Sequence, residues 1–190
     1  VKDTVHRRHI SDACQGLGLS PAFKYECNFG HSEDVRHIRD GVAFKKLFGL
    51  RDMVHNKAAT TLTFLRWAIF QYLIGNTDAH GKNFSFYVDG RVLKPAPAYD
   101  LVCVAVHPEF EQSIARASGD SVEHDAGRPY DLAMLAAECG IKHTLMAKEM
   151  HGMAEKITRA NKLPKGIDFL AEEVSYLETI QALIEERAVN

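Results

Sequence analysis

Residues 75–83, with the sequence GNTDAHGKN, hold the side chains best suited to chemistry. In this stretch Asp78 precedes the amide Asn83 by five residues, and a second acid, Asp100, follows a strand–turn–strand pattern. An Asp, an Asn five residues later and a second Asp after a hairpin is the order of parts in a protein-kinase catalytic centre. The spacing therefore favours phosphoryl transfer as the chemistry.

Each of these residue types suits one task in phosphoryl transfer. The acceptor hydroxyl must be oriented in line with the ATP phosphates, and Asp78 could orient it and accept its proton. Asn83 and Asp100 could hold Mg²⁺ and its nucleotide, because Mg²⁺ prefers hard oxygen ligands. Lys82 could offset phosphate charge, and His80 could brace the loop by hydrogen bonds. We therefore predict a catalytic group of Asp78, His80 and Lys82, with Asn83 and Asp100 binding metal and cofactor.

Two other interpretations of the same residues stay open. The spacing also fits a loop at a helix end in which Asn76, Asp78 and Asn83 are ordinary turn residues. A metal-dependent phosphodiesterase using Asp78, His80 and Asp100 is a weaker alternative, because the chain offers few clustered acids for two metals.

Cysteine usage indicates a reducing compartment. The four cysteines form no C-x-x-C motif, and the first residues have no apolar core typical of a secretion signal. Reduced thiols and a cytoplasmic location are therefore expected. Cys14, Cys103 and Cys139 lie in apolar surroundings and are expected to be small core residues. A zinc cluster of Cys27, His31 and His37 is disfavoured, because its spacing is poor and a fourth ligand is missing.

Composition limits the class of protein. A chain of 190 residues with 46% hydrophobic residues is one soluble globular domain, or one lobe of a larger protein. The net charge of −2 predicts no direct binding to nucleic acid or anionic membrane. No apolar run is long enough to cross a membrane. The chain starts in mid-pattern without Met, which predicts a piece of a longer protein.

Apolar periodicity predicts a mainly helical fold. The clearest helix runs from Lys57 to Ile74 and is apolar nearly all round, as is typical of a helix buried in a domain. Asp89-Gly90 between two β-prone runs predicts a hairpin of Phe84–Val88 and Arg91–Leu93. Other helices are predicted from the cap Ser11 to Leu17, from the cap Ser32 towards Phe48, from Pro129 to Gly140, from His143 to Asn161 and from Asp168 to Arg187. The last helix has a predicted core-facing stripe of Phe169, Val174, Leu177, Ile180 and Ile184.

Several of these motifs also resemble a known family. Residues 75–85 and 93–101 look like the catalytic core of the HipA-like serine/threonine kinases, bacterial toxins paired with a small DNA-binding antitoxin. Residues 8–26 and 64–70 are similar to the segments before that core. The resemblance implies that Asp78 is the catalytic base and that Asn83 and Asp100 are the Mg²⁺ ligands. It also implies a helical C-terminal lobe of a protein-kinase-like fold, with a small β-hairpin at the active site.

The resemblance carries expectations about cofactors and partners. It implies ATP and Mg²⁺ as cofactors, a protein substrate and a HipB-like DNA-binding antitoxin. The family's first lobe carries a phosphate-covering loop and an ATP-binding lysine, whereas here Gly16-Leu17-Gly18 reads as a helix end. We therefore expect residues 1–190 to form a single domain, the C-terminal lobe, without the nucleotide-binding lobe.

Without that lobe, this stretch alone should bind ATP weakly and transfer little phosphate. It should also expose an apolar patch that favours homodimers. The alternative is a catalytically idle module that docks the antitoxin.

Overall fold

The computed structural model describes most of the chain, namely residues 7–27, 29, 34, 38–90, 92–110, 113–118, 121–123, 129–163 and 165–189. It divides into two compact units. The first comprises residues 1–64 and 80–99, and the second comprises residues 65–79 and 100–190.

The described residues are mainly helical, with short antiparallel strands, as predicted. The helices are α1 (Ala13–Gly16), α2 (Phe44–Gly49), α3 (Lys57–Leu73), α4 (Pro129–Glu138), α5 (His143–Ala160) and α6 (Ala171–Val189). The strands are β1 (Ile10–Asp12), β2 (Ser85–Asp89), β3 (Val92–Pro95), β4 (Ser113–Ser118) and β5 (Ser121–Glu123).

A small sheet and an aromatic cluster form the centre of the first unit. The sheet has the order β1-β2-β3 and is antiparallel throughout. Phe64 on α3 packs edge-on against Phe48, Phe84 and Phe86, with ring centroids 5.3, 5.0 and 6.0 Å away. Edge-to-face pairs of this kind stabilise a core beyond their buried area. The cluster therefore anchors β2, which continues directly from the predicted catalytic loop.

The predicted hairpin is confirmed, with Asp89 added to its first strand. Strands β2 and β3 pair antiparallel up to Asp89 opposite Val92, so the turn follows Asp89. Gly90 takes a φ of +59°, a left-handed value that glycine adopts without steric cost. Asp89 therefore belongs to the strand rather than to the turn.

Two of the helix predictions near the start of the chain need correction. Ser11 does not cap a helix, because it pairs with Phe86 in the sheet. Asp12 is the cap instead: its carboxylate accepts from the Gln15 backbone N–H at 2.8 Å, and the Gln15 side-chain oxygen accepts from the Asp12 N–H at 3.0 Å. This reciprocal capping box places the cap of α1 one residue later than predicted.

The predicted helix towards Phe48 is wrong over residues 38–43, which are not helical. The backbone N–H groups of Gly41 and Val42 donate to the carbonyls of Glu26 and Phe23, at 3.2 and 3.1 Å. These bonds tie the segment to residues 23–26, so α2 begins only at Phe44. Ser32, the predicted cap, lies outside the described residues.

Helices make up most of the described part of the second unit, and their predicted positions hold to within three residues at each end. On α6, Val174, Leu177 and Ile180 are half-buried and Ile184 is buried, which matches the predicted core-facing stripe. Its start at Ala171 follows from the Leu170 backbone N–H, which donates to the Glu173 carboxylate at 2.8 Å. Among the described residues, no helix is long and apolar enough to cross a membrane.

Candidate functional site

Two side chains stand out by their exposure in the predicted catalytic loop. Every residue from 73 to 86 is buried except Asp78 and Lys82. Polar and charged residues usually lie at the surface of loops, but here most of the loop backbone is enclosed and only these two ionisable side chains are presented to solvent. Catalysis by orientation requires a carboxylate that is open to the substrate and whose backbone is held by the surrounding protein.

A backbone turn connects the end of α3 to this loop. Gly75, with a φ of +69°, donates its N–H to Tyr72 O at 3.1 Å, and Asn76 donates its N–H to Gln71 O at 2.9 Å. This pair of bonds is the Schellman arrangement that commonly closes helices. Gly75 also accepts a bond from Ala105 N–H at 2.9 Å, which ties the turn to the segment after Asp100.

Asn76 connects the two predicted acids within the second unit. Its side-chain oxygen accepts from the backbone N–H of Asp78 at 3.2 Å. Its side-chain nitrogen donates to the backbone carbonyl of Asp100 and to the side-chain oxygen of Gln71, both at 2.9 Å. Sequence reasoning assigned Asn76 only to a turn, because its polar type gave no signal of a partner 24 residues away.

Asp100 has an unusual backbone. Its φ is +56°, the one left-handed value among the described non-glycine residues. Asp visits this region more readily than most residues, yet such a conformation still costs about 1 kcal/mol or more and persists where neighbouring contacts fix it. Its side chain is exposed, and its carbonyl is held by Asn76. Strained backbone at an exposed carboxylate is typical of functional positions.

His80, Lys82 and Asn83 lie together in the first unit. Residues Gly81–Asn83 form a single 3₁₀ turn, and the Asn83 side-chain oxygen accepts from the His80 backbone N–H at 2.9 Å. The imidazole of His80 is buried and packs edge-on against Tyr25, with ring centroids 5.3 Å apart. His80 is thus enclosed by packing, in contrast to the exposed Lys82.

Gly81 is required by close packing rather than by its backbone angles. A Cβ there would lie 2.6 and 2.8 Å from atoms of Val42 and 3.1 Å from the sulfur of Cys14. The Gly81 N–H also donates to Lys24 O at 2.8 Å. Any larger residue would therefore push the 3₁₀ turn away from the core of the first unit.

Tyr99 is a further residue that the sequence did not single out. Its hydroxyl donates to the backbone carbonyl of Lys82, and it shares a 2.7 Å hydrogen bond with the hydroxyl of Ser85. Tyr99, which directly precedes Asp100, is thereby tied to the 3₁₀ turn. Its only sequence signal was its place in the Tyr99-Asp100-Leu101 motif.

The predicted site residues thus fall into two groups. Asp78 and Asp100 belong to the second unit and share the Asn76 side chain, whereas His80, Lys82 and Asn83 belong to the first unit and share one turn. In the described part of the chain, no group of three or more His, Cys, Asp or Glu side chains that could hold a metal ion is found. His31 and His37 of the disfavoured zinc cluster lie outside the described residues.

The cysteines behave as packing residues. None of the four, all of which are described, forms a disulfide. Cys14 and Cys139 are buried and Cys103 is half-buried, in keeping with the predicted core role. Burial raises the pKa of the Cys103 thiol above its ordinary value, which makes it a poor nucleophile at neutral pH.

A cavity in the first unit lies apart from the predicted residues. Its volume is about 570 Å³, and it is lined mainly by the first turns of α3 and by residues 93–97. None of the five predicted site residues lines it.

Comparison with known proteins identifies the family. The sequence model of the HipA-like C-terminal domain matches residues 2–161. The chain belongs to the HipA-like C-terminal domain family. It is 42% identical, over 156 residues, to the serine/threonine-protein kinase toxin HipA of Shewanella oneidensis, covering 82% of this chain and 36% of that protein. It is 34% identical, over 160 residues, to the putative kinase Y4mE of Sinorhizobium fredii, covering 82% of this chain and 35% of the relative.

A solved structure extends the same result to the fold. The chain superposes on the Shewanella oneidensis HipA of the HipA, HipB and operator DNA complex with a TM-score of 0.91 and 35% identity. That match covers 99% of this chain and 45% of the HipA chain. The fold is therefore the protein-kinase-like fold that the sequence predicted. The chain spans about a third of the length of the curated relatives, 36% and 35%.

Proposed function

We propose that this chain carries the catalytic loop and the metal-binding residues of a HipA-like serine/threonine kinase, the toxin of a toxin–antitoxin pair. In the full protein the reaction is transfer of the ATP γ-phosphate to a hydroxyl of a protein substrate. Relatives named as a kinase toxin and a putative kinase support this reaction class. A bacterial, cytoplasmic setting follows from the same analogy.

The observation that carries the proposal is the exposure of Asp78 on an otherwise buried loop. A general base must meet its substrate, so its carboxylate must be open while its backbone is fixed. Asp78 meets both conditions, because its N–H is held by Asn76 and its neighbours are enclosed. In the proposed reaction Asp78 orients the acceptor hydroxyl and accepts its proton.

The other predicted residues suit the nucleotide. Asn83 and Asp100 offer one amide and one carboxylate oxygen, an all-oxygen donor set that fits Mg²⁺. Mg²⁺ held by Asn83 and Asp100 would neutralise charge on the ATP phosphates when bound. Lys82 is exposed, and its backbone carbonyl accepts a hydrogen bond from Tyr99. In the proposed reaction its ammonium offsets charge on the phosphates. His80 braces the turn through its packing against Tyr25.

The test is phosphoryl transfer by the product of the complete gene. Asp78→Asn should lower kcat by about 10²–10⁴-fold while Mg²⁺-ATP affinity stays close to that of the wild type, because only the base is lost. Asp89→Asn is the matched control, since Asp89 is an exposed acid at the end of β2, and it should leave the rate unchanged. Near-normal transfer by Asp78→Asn would refute the assignment of the base.

A second candidate function is docking of a HipB-like antitoxin by a catalytically idle domain. The observation that favours it is the match to HipA in a complex with HipB and operator DNA. One assay distinguishes the two functions. A kinase loses phosphoryl transfer in the Asp78→Asn variant, whereas a docking module shows no phosphoryl transfer even in the wild type. Wild-type protein that binds antitoxin but phosphorylates nothing with Mg²⁺-ATP would favour docking alone.

A further inference from the structure

We propose that Asn76 is a positioning residue that holds both predicted acids, Asp78 and Asp100, in their working conformations through one amide group. Because these acids act in phosphoryl transfer only if the proposed function is right, the assignment depends on that function. In the hydrogen bonds described, Asn76 contacts the backbone of both residues, so its effect on the reaction passes through them.

The hydrogen bonds use both ends of the amide for different purposes. The oxygen of Asn76 accepts from the N–H of Asp78, which fixes where the exposed carboxylate leaves the loop. The nitrogen donates to the carbonyl of Asp100, whose left-handed φ of +56° needs an external contact to persist. One side chain therefore sets two backbone positions that lie 22 residues apart in the sequence.

The burial of Asn76 argues against an ordinary turn residue. Asn76 is 3% exposed and its partner Gln71 is 4% exposed. The Gln71 side-chain nitrogen is buried without a hydrogen-bond partner among the described residues. Burying amides, one of them incompletely bonded, destabilises a fold relative to apolar side chains of similar size. A helix end that only reverses the chain direction does not require the buried amides of Gln71 and Asn76.

A second helix end in the same unit shows the apolar alternative. At the end of α4, Gly140 and Ile141 donate to the carbonyls of Ala137 and Ala136 at 3.1 and 2.7 Å, which repeats the Schellman arrangement. There the residue after the glycine is a buried Ile opposite an Ala. At the end of α3 the same two places hold Asn76 and Gln71. The polar pair is therefore a departure from the usual apolar contact, and such departures concentrate at functional positions.

The test is Asn76→Asp in the complete protein. A carboxylate still accepts from the N–H of Asp78, and Gln71 can turn its unpartnered nitrogen towards it, but the donor to the Asp100 carbonyl is gone. We expect the Mg²⁺ concentration for half-maximal rate, and the Mg²⁺ dissociation constant measured by calorimetry with a non-hydrolysable ATP analogue, to rise by about 10–100-fold. Asp78→Asn, by contrast, should lower kcat without this rise.

Asn161→Asp is the matched control. The Asn161 side-chain nitrogen also donates to a backbone carbonyl 20 residues away, that of Gln181, at 2.9 Å in the same unit. The chemical change is the same and each variant loses a bond to a distant backbone carbonyl, but no predicted site residue is involved at Asn161. Thermal unfolding should show a loss for both variants, larger for Asn76→Asp because Asn76 is buried and Asn161 is half-buried, and only Asn76→Asp should change the Mg²⁺ requirement.

The outcomes are distinct. If Asn76→Asp does not fold, Gln71→Ala takes its place, because it removes one anchor of the Asn76 nitrogen and should raise the Mg²⁺ requirement less but in the same direction. An unchanged Mg²⁺ requirement in whichever variant folds, or an equal rise in Asn161→Asp, overturns the positioning role. Failure of the proposed function appears elsewhere, as absence of phosphoryl transfer by the wild-type protein.

Discussion

Helices α3 and α4 end in the same backbone arrangement but are closed by different side chains. Each has a glycine with positive φ, +69° at Gly75 and +65° at Gly140, and each forms the same pair of backbone bonds. After α4 the closing residue is the apolar Ile141, whereas after α3 it is the amide Asn76. The α4 end satisfies the requirements of folding alone. At the α3 end the buried polar pair Gln71 and Asn76 replaces the apolar pair, and Asn76 bonds the backbone of Asp78 and Asp100.

The largest expected effect comes from Gly75, on which the α3 end depends. In Gly75→Ala the new Cβ would lie 2.9 Å from the Ala105 Cβ and 3.1 Å from a Leu183 methyl carbon, in addition to its left-handed φ. Strain and overpacking together should cost about 2–5 kcal/mol of unfolding free energy, measured by denaturant titration.

Gly166→Ala is the control for that measurement. Gly166 has a φ of +78°, but a Cβ added there would meet no atom within 4 Å, so only the backbone cost of about 1–2 kcal/mol applies. Equal losses in the two variants would show that the close approach at Gly75 does not exist in solution.

A smaller effect should appear at Asp100, the far partner of Asn76. Asp100→Gly and Asp100→Ala both remove the carboxylate, so both should lose Mg²⁺-nucleotide binding. Because φ is +56°, Asp100→Gly should be the more stable of the two by about 1 kcal/mol. If Asp100→Ala were equally stable, Asp100 would not be left-handed and Asn76 would have no strained carbonyl to hold.

The smallest effect concerns a contact of α3 away from its end. The Arg66 guanidinium bonds the Glu149 carboxylate at 2.7 and 3.3 Å, and this bond holds the pKa of Glu149 below its usual value. A lowered pKa in the folded state stabilises the fold above the ordinary carboxyl pKa, and this stabilisation is lost as the pH falls through the lowered pKa. Glu149→Gln should therefore cost about 0.5–1 kcal/mol at pH 7 and nothing in strong acid.

Thermal unfolding of Glu149→Gln at several pH values checks this expectation. Because Glu149 has no contact with the α3 end in the hydrogen bonds described, transfer by the full protein should be unaffected. A loss of transfer larger than the loss of stability explains would mean that the whole of α3, and not its end alone, serves the site.

The long periodic elements were predictable from the sequence, and the contacts between distant residues were not. Helix α3 was predicted to one residue because its apolar spacing extends over 17 residues. Strand β1 was missed, because three residues that pair with a distant strand leave no periodic signal. At the site, residue types and spacing were enough to propose Asp78, Asn83 and Asp100 as candidates. The role of Asn76 could not be read from the sequence, because it depends on a hydrogen bond to Asp100 that only the folded chain forms.

The most direct test is to give α3 the side chains that close α4. The double variant Gln71→Ala with Asn76→Ile reproduces the pair Ala136 and Ile141 and removes the buried amides. We expect it to fold with an unfolding free energy about 1–3 kcal/mol below that of the wild type, because the buried amides are removed but the N–H of Asp78 and the carbonyl of Asp100 lose their partner. Phosphoryl transfer by the complete protein should nevertheless fall by at least about 10-fold, with a raised Mg²⁺ requirement, as the backbones of Asp78 and Asp100 are released. A folded double variant with wild-type transfer and Mg²⁺ dependence would contradict the account.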